Sequence, residues 1–492
     1  MKKLFLFSLP FFLLANETDI NIKIETLQNE VNKLKQEMVY HQEDLDERMP
    51  IIESIEKKSI LDKINFSPEL LLRFDKFDYQ NGKIENENTK IYNHHDPSLN
   101  GLQRRDEYSK HFDLASSIRF RLNMNADLDD IKFHGRLLYM NGSQTNQRVC
   151  ILSRDIKTGV SGSAFDVDRA YIDYTLNLLS KYPFTFSFGI LPTTGGTPMQ
   201  YAQDKKRNSL FPALVFDMNT YGMIGTQKLG DDTYARIVLA KPYTLRPNFY
   251  PYQCNRENID NANIVGLYSD TKFHLLGKSL LSFGANMMHD LKAHPYLGPD
   301  VGSSDSHTLG TMVTFGVGID VEEVADTQTT LFVHTALSNP YANGNQDDYQ
   351  IVGANVNEPT QVVADGLTKD GKTGFTESTY ASGTMLKSNG YSLYLGAKYD
   401  YNDKFHIGAE YNYGSKYWFS ATQGAEDMFN KLATRGSAYE GYGVWKYHKH
   451  LNAKLSYLHI HEDYTGSGWH FGEPASKDAT KKIISLSLEA RF

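Results

Sequence analysis

Phe184-Thr185-Phe186-Ser187-Phe188-Gly189-Ile190 alternates apolar side chains with small or polar ones at every step. Leu309-Gly310-Thr311-Met312-Val313-Thr314-Phe315-Gly316-Val317 keeps one apolar row, which Thr311 joins, while glycines thin the other. A period of two over so many residues is the signature of a strand whose two faces meet different surroundings. Scanning outward from these stretches yields roughly sixteen such segments. They centre near residues 70, 119, 136, 171, 187, 224, 237, 268, 283, 314, 332, 395, 409, 443, 455 and 487. The segments at 224, 268, 332 and 443 alternate poorly, which leaves a range of about 14–18 strands.

The spacing between segments carries more weight than any one of them. Short polar turns fall at Asp129-Asp130, Gly230-Asp231-Asp232, Gly277-Lys278, Asn402-Asp403 and His448-Lys449. Between them lie long stretches at 76–110, 141–164, 191–218, 242–262, 289–306, 338–389, 415–437 and 461–480. Short turns at one rim and long loops at the other are expected of a transmembrane antiparallel β-barrel, here over residues 64–492. A soluble sandwich or propeller has no reason for that rhythm. Sixteen strands would also enclose room for water.

Composition agrees. Mean hydropathy is −0.47, yet there are 31 Tyr and 27 Phe against 3 Trp. A barrel reconciles the two, because only alternate residues of each strand touch lipid. A net charge of −8 argues against a general nucleic-acid binder.

The N-terminus reads as a targeting signal over residues 1–15. Lys2 and Lys3 precede an apolar run to Leu14, and Ala15 offers a cleavage point, although Leu13 departs from the small-x-small pattern. The run is too short to anchor a chain in a membrane. Residues 17–58 then follow a different period. Ile20, Ile24, Leu27, Val31, Leu34 and Met38 alternate spacings of four and three, continuing through His41, Leu45 and Arg48 to Ile52 and Ile55. That is a coiled-coil seam, expected in the periplasm and expected to self-associate. Pro50 should break or kink it. A lone amphipathic helix lying on the membrane is the plainer alternative.

If one barrel face meets lipid, charge belongs on the other. The lumenal rows then hold Arg73, Arg119, Arg121, Lys132, Arg136, Arg169, Asp173 and Arg236. Such a ladder would lower the barrier to anions. Equally, these cations could pair with Asp75, Asp113, Asp173 or loop acids and hold the wall together. Both readings stay open.

The last strand sets Ile484, Leu486, Leu488, Ala490 and Phe492 on one face, with Ser485, Ser487, Glu489 and Arg491 on the other. A terminal aromatic after an alternating strand resembles the signal read by the barrel insertion machinery. Cys150 and Cys254 fall in the second and fourth long loops, at one rim, where a disulfide is permitted by compartment but not established by geometry.

No phosphate-binding Gly-x-x-x-x-Gly-Lys motif, Gly-x-Ser-x-Gly or His-Glu-x-x-His occurs. The pairs His459/His461 and His94/His95 beside Asp96 read better as solvated histidines than as ligands. The acidic Asn343–Asp348 stretch lacks the calcium-loop spacing. No catalytic residue, metal or cofactor is expected.

Asp168-Arg169-Ala170-Tyr171-Ile172-Asp173-Tyr174 followed by Phe188-Gly189-Ile190-Leu191-Pro192-Thr193-Thr194-Gly195-Gly196 is similar to a porin-like outer-membrane family of unknown function. The resemblance spans most of the mature chain and is most specific over residues 168–198. It implies the barrel and its membrane, and brings neither substrate nor catalytic residues. In general porins the third long outer loop folds inward and narrows the channel. That loop is 191–218 here, making Asp204, Lys205, Lys206, Arg207 and Asp217 constriction candidates; a solvated loop tip is the alternative. General porins are also trimers, so a trimer is the expected assembly. The functional expectation is passive diffusion of small hydrophilic solutes with a modest anion preference. A non-conducting adhesin or structural barrel, and an outer-membrane enzyme, are the rivals.

Overall fold

The computed structural model describes residues 24–39, 49, 63–81, 90–92, 108–128, 130–142, 162–176, 182–242, 262–293, 307–342, 361–363, 382–385, 388–422, 427, 429–464, 472–474 and 476–492. Residues 1–15, expected to be a targeting signal, Cys150, Cys254, His94 and His95 lie outside these residues, as does the side chain of Asp113.

The chain divides into two units. The first contains a helix over residues 24–39, with Ile24, Leu27, Val31, Leu34 and Met38 all exposed. The second is the barrel.

Sixteen antiparallel strands close on themselves. They are β1 Ile64–Asn81, β2 Tyr108–Leu128, β3 Ile131–Gly142, β4 Gly162–Leu176, β5 Phe184–Leu191 and β6 Thr220–Lys228. Next come β7 Thr233–Pro242, β8 Asn263–His274, β9 Lys278–Ala293, β10 His307–Glu322 and β11 Thr329–Ala342. The chain ends with β12 Gly390–Asn402, β13 Phe405–Gly414, β14 Gly436–His448, β15 Leu451–Tyr464 and β16 Ser476–Arg491. Each strand pairs with its sequence neighbours, and β16 closes against β1 from Glu69↔Arg491 to Asn81↔Ala479. All sixteen expected centres fall inside strands. Closure leaves no unpaired edge, the condition for a sheet to stand in lipid. Among the described residues no helix is long and apolar enough to cross a membrane.

The outward row is apolar around the wall, through Phe188, Ile237, Leu267, Phe283, Val333 and Leu486. Aromatic residues mark its limits. Tyr399, Tyr401, Trp445, Tyr447 and Phe492 are exposed near the short-turn rim, and Tyr341, Tyr391 and Tyr439 near the long-loop rim. Rings with a polar tip suit those depths, where one end is apolar and the other wet.

The interior is not an empty tube. An apolar cluster occupies part of the lumen, built from Phe211, Leu214, Phe216 and Met218 of the β5–β6 loop against Ile224, Tyr268 and Phe332 of the wall. Phe211 meets Tyr268 edge-on at 4.6 Å between ring centroids, and Tyr394 meets Phe332 at 5.1 Å. The four strands with poor alternation are explained by this packing. Their inward positions include Ile224 in β6, Ile264 and Tyr268 in β8, Phe332 and Ala336 in β11, and Ala438, Tyr442 and Val444 in β14. These face inserted protein or buried wall rather than water, so apolar residues stand on both sides of the strand. Glycines of the inner row make room in the same way. A Cβ on Gly316 would lie 2.8 Å from Val215 Cγ2.

Candidate channel constriction

Two loops from the long-loop rim enter the lumen. The first runs from Leu191 to Thr220 and carries a short helix, Met199–Gln203, near its deepest point. Its start is compact because Gly196 passes directly over Phe211, where a Cβ would stand 1.8 Å from the Phe211 carbonyl oxygen. Gly195 N–H donates to Asp217 Oδ1 at 2.8 Å, tying the two ends of the loop together.

The tip is fastened near the short-turn rim. Arg491 of the last strand donates to the carbonyls of Asp204 at 2.7 Å and Gln203 at 3.1 Å. Lys205 reaches Glu489 at 2.6 Å and Glu69 at 3.6 Å. Asp204 meets Lys446 at 2.9 Å, and Arg207 meets Asp270 at 2.6 Å. Tyr201 OH donates to Glu322 Oε1 at 3.1 Å, while Thr197 bonds Asp320, which also contacts His334. Lys206 is exposed and, with Lys205 and Arg207, lines a mouth of about 950 Å³ at the short-turn side. Asp217, by contrast, is wholly buried.

The second loop follows β13, and its described residues are 415–422, 427 and 429–435. Trp418, Phe419, Ala421, Leu432 and Arg435 are buried. Trp418 Nε1 donates to the Leu432 carbonyl at 2.9 Å, and Arg435 Nε to the Trp418 carbonyl at 2.8 Å. It joins the first loop directly, since Asp217 N–H donates to the Ala421 carbonyl at 3.0 Å. Lys431 sits between Glu410 and Glu440, and Glu440 Oε1 also accepts from Lys454 at 2.9 Å.

Between the loops and the wall of β1, β2 and β14–β16 lies a cavity of about 130 Å³. Its charged lining is Arg73, Arg119, Lys205, Lys431 and Lys454 against Asp427, Glu440 and Glu489, with Ser117, Ser456, Ser485 and Ser487 between them.

The lumenal cations have carboxylate company. Arg73 Nε meets Asp75 at 2.8 Å, and its NH2 donates to Ser485 Oγ at 2.9 Å. Arg136 makes a two-pronged bond to Asp168, both contacts 2.7 Å, with Arg121 3.9 Å away. Arg236 meets Asp270 at 2.9 Å. Arg169 donates to the Thr194 carbonyl at 3.0 Å, bracing the first loop, and Lys132 pairs with Asp127 near the β2–β3 turn. Asp173 accepts from Ser187 and faces His134 at 3.3 Å. Of the acids named from sequence as partners, Asp75 serves Arg73; Arg136 and Arg236 instead use Asp168 and Asp270. Strict alternation sends Asp168 to the lipid side, but a bulge breaks the β3–β4 register between Arg136↔Arg169 and Leu137↔Val167. The extra residue lets Asp168 turn inward beside Arg169. Asp270 stands on the same row as the apolar Tyr268, in a strand whose pattern gave little notice of its lumenal face. Lys431 was also missed, because nothing in its spacing marks the second loop as inward-folding, and with it its partners Glu410 on β13 and Glu440 on β14.

Among the described residues no group of three or more His, Cys, Asp or Glu is arranged to hold a metal. His461 faces Asp463 at 3.0 Å and Thr480 at 3.2 Å.

A closed sixteen-strand antiparallel barrel with an inward-folded third loop is a porin-like barrel. The chain belongs to the family described as Protein of unknown function (DUF3373), whose model matches residues 109–488. No curated protein matches it. Solved structures similar to it include OprB of Pseudomonas putida, with 10% identity, a TM-score of 0.45, and 89% of this chain and 96% of that one covered. The outer membrane channel DcaP of Acinetobacter baumannii matches at 13% identity and TM-score 0.41, over 88% and 98% of the two chains. OmpT, an outer membrane protein of Vibrio cholerae, matches at 11% identity and TM-score 0.42, over 87% and 97%.

Proposed function

We propose that this protein is an outer-membrane porin through which small hydrophilic solutes diffuse passively, with a modest preference for anions. The observation that carries the reading is the cavity between the first loop's helix and the β1, β2 and β14–β16 wall. It is bounded by charged side chains from opposite sides, with apolar residues such as Leu71, Ile118 and Phe429 among them, and its lining holds more cations than anions. A pore must bind weakly at several sites so that solute both enters and leaves, and serines with paired charges meet that need. The small volume argues for small solutes and low conductance.

The chain would be exported by residues 1–15, inserted through its last strand ending in Phe492, and carry its N-terminal helix in the periplasm as part of a trimer. Conductance of the purified protein in a planar bilayer tests the central claim. Discrete steps are expected, with a reversal potential displaced toward chloride under a KCl gradient. A membrane that stays silent would favour a structural or adhesive barrel, a reading to which the two loops inside the lumen lend weight. A potential displaced toward potassium would remove the anion preference.

A further inference from the structure

Resting on the porin reading, we infer that the second inward loop completes the constriction, and that Lys431 and Glu440 set its charge selectivity. Three observations converge on this pair. First, the cavity is not formed by the third loop and wall alone, because Asp427, Phe429 and Lys431 of the second loop line one side of it. Second, that loop is held from both ends of its polar face. Asn412 Nδ2 donates to the Lys431 carbonyl at 2.9 Å, while the Lys431 ammonium lies between the carboxylates of Glu410 and Glu440. Third, Glu440 is the junction of a chain of charge, since its other oxygen accepts from Lys454 on the neighbouring strand β15.

In that arrangement two ammoniums and two carboxylates cancel at the cavity between the loops and the wall. Poorly hydrated surroundings make any imbalance there count for more than a charge in the open mouth. Removing the lysine leaves Glu410 without its counter-charge and Glu440 with Lys454 alone, and the nearest remedy is a cation drawn from solution. Removing the Glu440 charge does the reverse. Lys431 keeps Glu410, but Lys454 loses its carboxylate and presents a free ammonium to the cavity. The two substitutions therefore push selectivity in opposite directions, which a purely structural role cannot do.

The test is reversal potential of the full-length protein in planar bilayers under a KCl gradient. Lys431→Met should move it toward potassium and Glu440→Gln toward chloride, while Lys431→Arg should leave it near the unmodified value. Folding is checked by the heat-modifiable mobility of the barrel in detergent. Should Lys431→Met fail to fold, Glu440→Gln keeps the amide in the same place and decides the matter alone. Silence of the unmodified protein would overturn the porin reading. A conducting protein whose potential is unmoved by Glu440→Gln, or moved the same way by both substitutions, would overturn the assignment to this pair and leave the porin reading standing.

Discussion

Asp168 and Arg136 show how much one residue of register decides. The bulge in β4 turns the Asp168 carboxylate into the lumen, where it accepts both prongs of the guanidinium; both side chains are buried. Without the extra residue that carboxylate would face hydrocarbon and the arginine would stand alone. Breaking a buried pair by removing one partner costs about 3–5 kcal/mol, because the remaining charge stays desolvated. Asp168→Asn should accordingly lower the urea midpoint of the folded barrel, read as loss of heat-modifiable mobility. Arg136→Met combined with Asp168→Leu should recover much of the loss, since an apolar pair strands no charge. A double variant as unstable as the single one would show that the bulge, not the ion pair, carries the stability.

At the scale of elements, the β5–β6 loop behaves as part of the core. Phe211 is 1% exposed and sits among Phe216, Tyr268 and Met218. Truncating so buried an aromatic ring typically costs about 3–5 kcal/mol through lost contacts and the cavity left behind. The wall itself is held by ladders of strand pairing, so the cost should fall on the seating of the loop. Phe211→Ala is therefore expected to raise conductance or its fluctuation in bilayers, with the strand content by circular dichroism unchanged. Unaltered conductance would mean that the polar anchors at Arg491, Lys205 and Arg207 suffice to hold the loop. The inner glycines and the apolar inner rows of β6, β8, β11 and β14 belong to this scale too. In the sequence they read as faults in alternation, yet they record where inserted loops and buried wall meet.

At the scale of the whole molecule, two different periods divide the chain. The helix over residues 24–39 keeps its seam residues exposed. An apolar stripe of that spacing is stable in water when another helix covers it. Deleting residues 17–49 should reduce oligomer size in cross-linking or native mass measurements while leaving the barrel folded. An unchanged oligomer would strip the helix of an assembly role. The barrel's size, strand order and lipid-facing band, by contrast, follow from period-two patterning and the long-short rhythm of its connections. These are local properties written along each strand, and all sixteen centres were legible for that reason. What the lumen contains was not. Which carboxylate meets which arginine depends on a bulge and on cross-strand register, and whether a loop of Trp418, Lys431 and Leu432 turns inward depends on wall residues far away in the chain. The sequence by itself determined a closed barrel with a lipid face and a charged interior, because alternation is a nearest-neighbour signal. Only the tertiary structure decided that two loops share that interior and border a cavity of paired charges, because packing inside a closed wall is a property of residues that meet only once the barrel has formed.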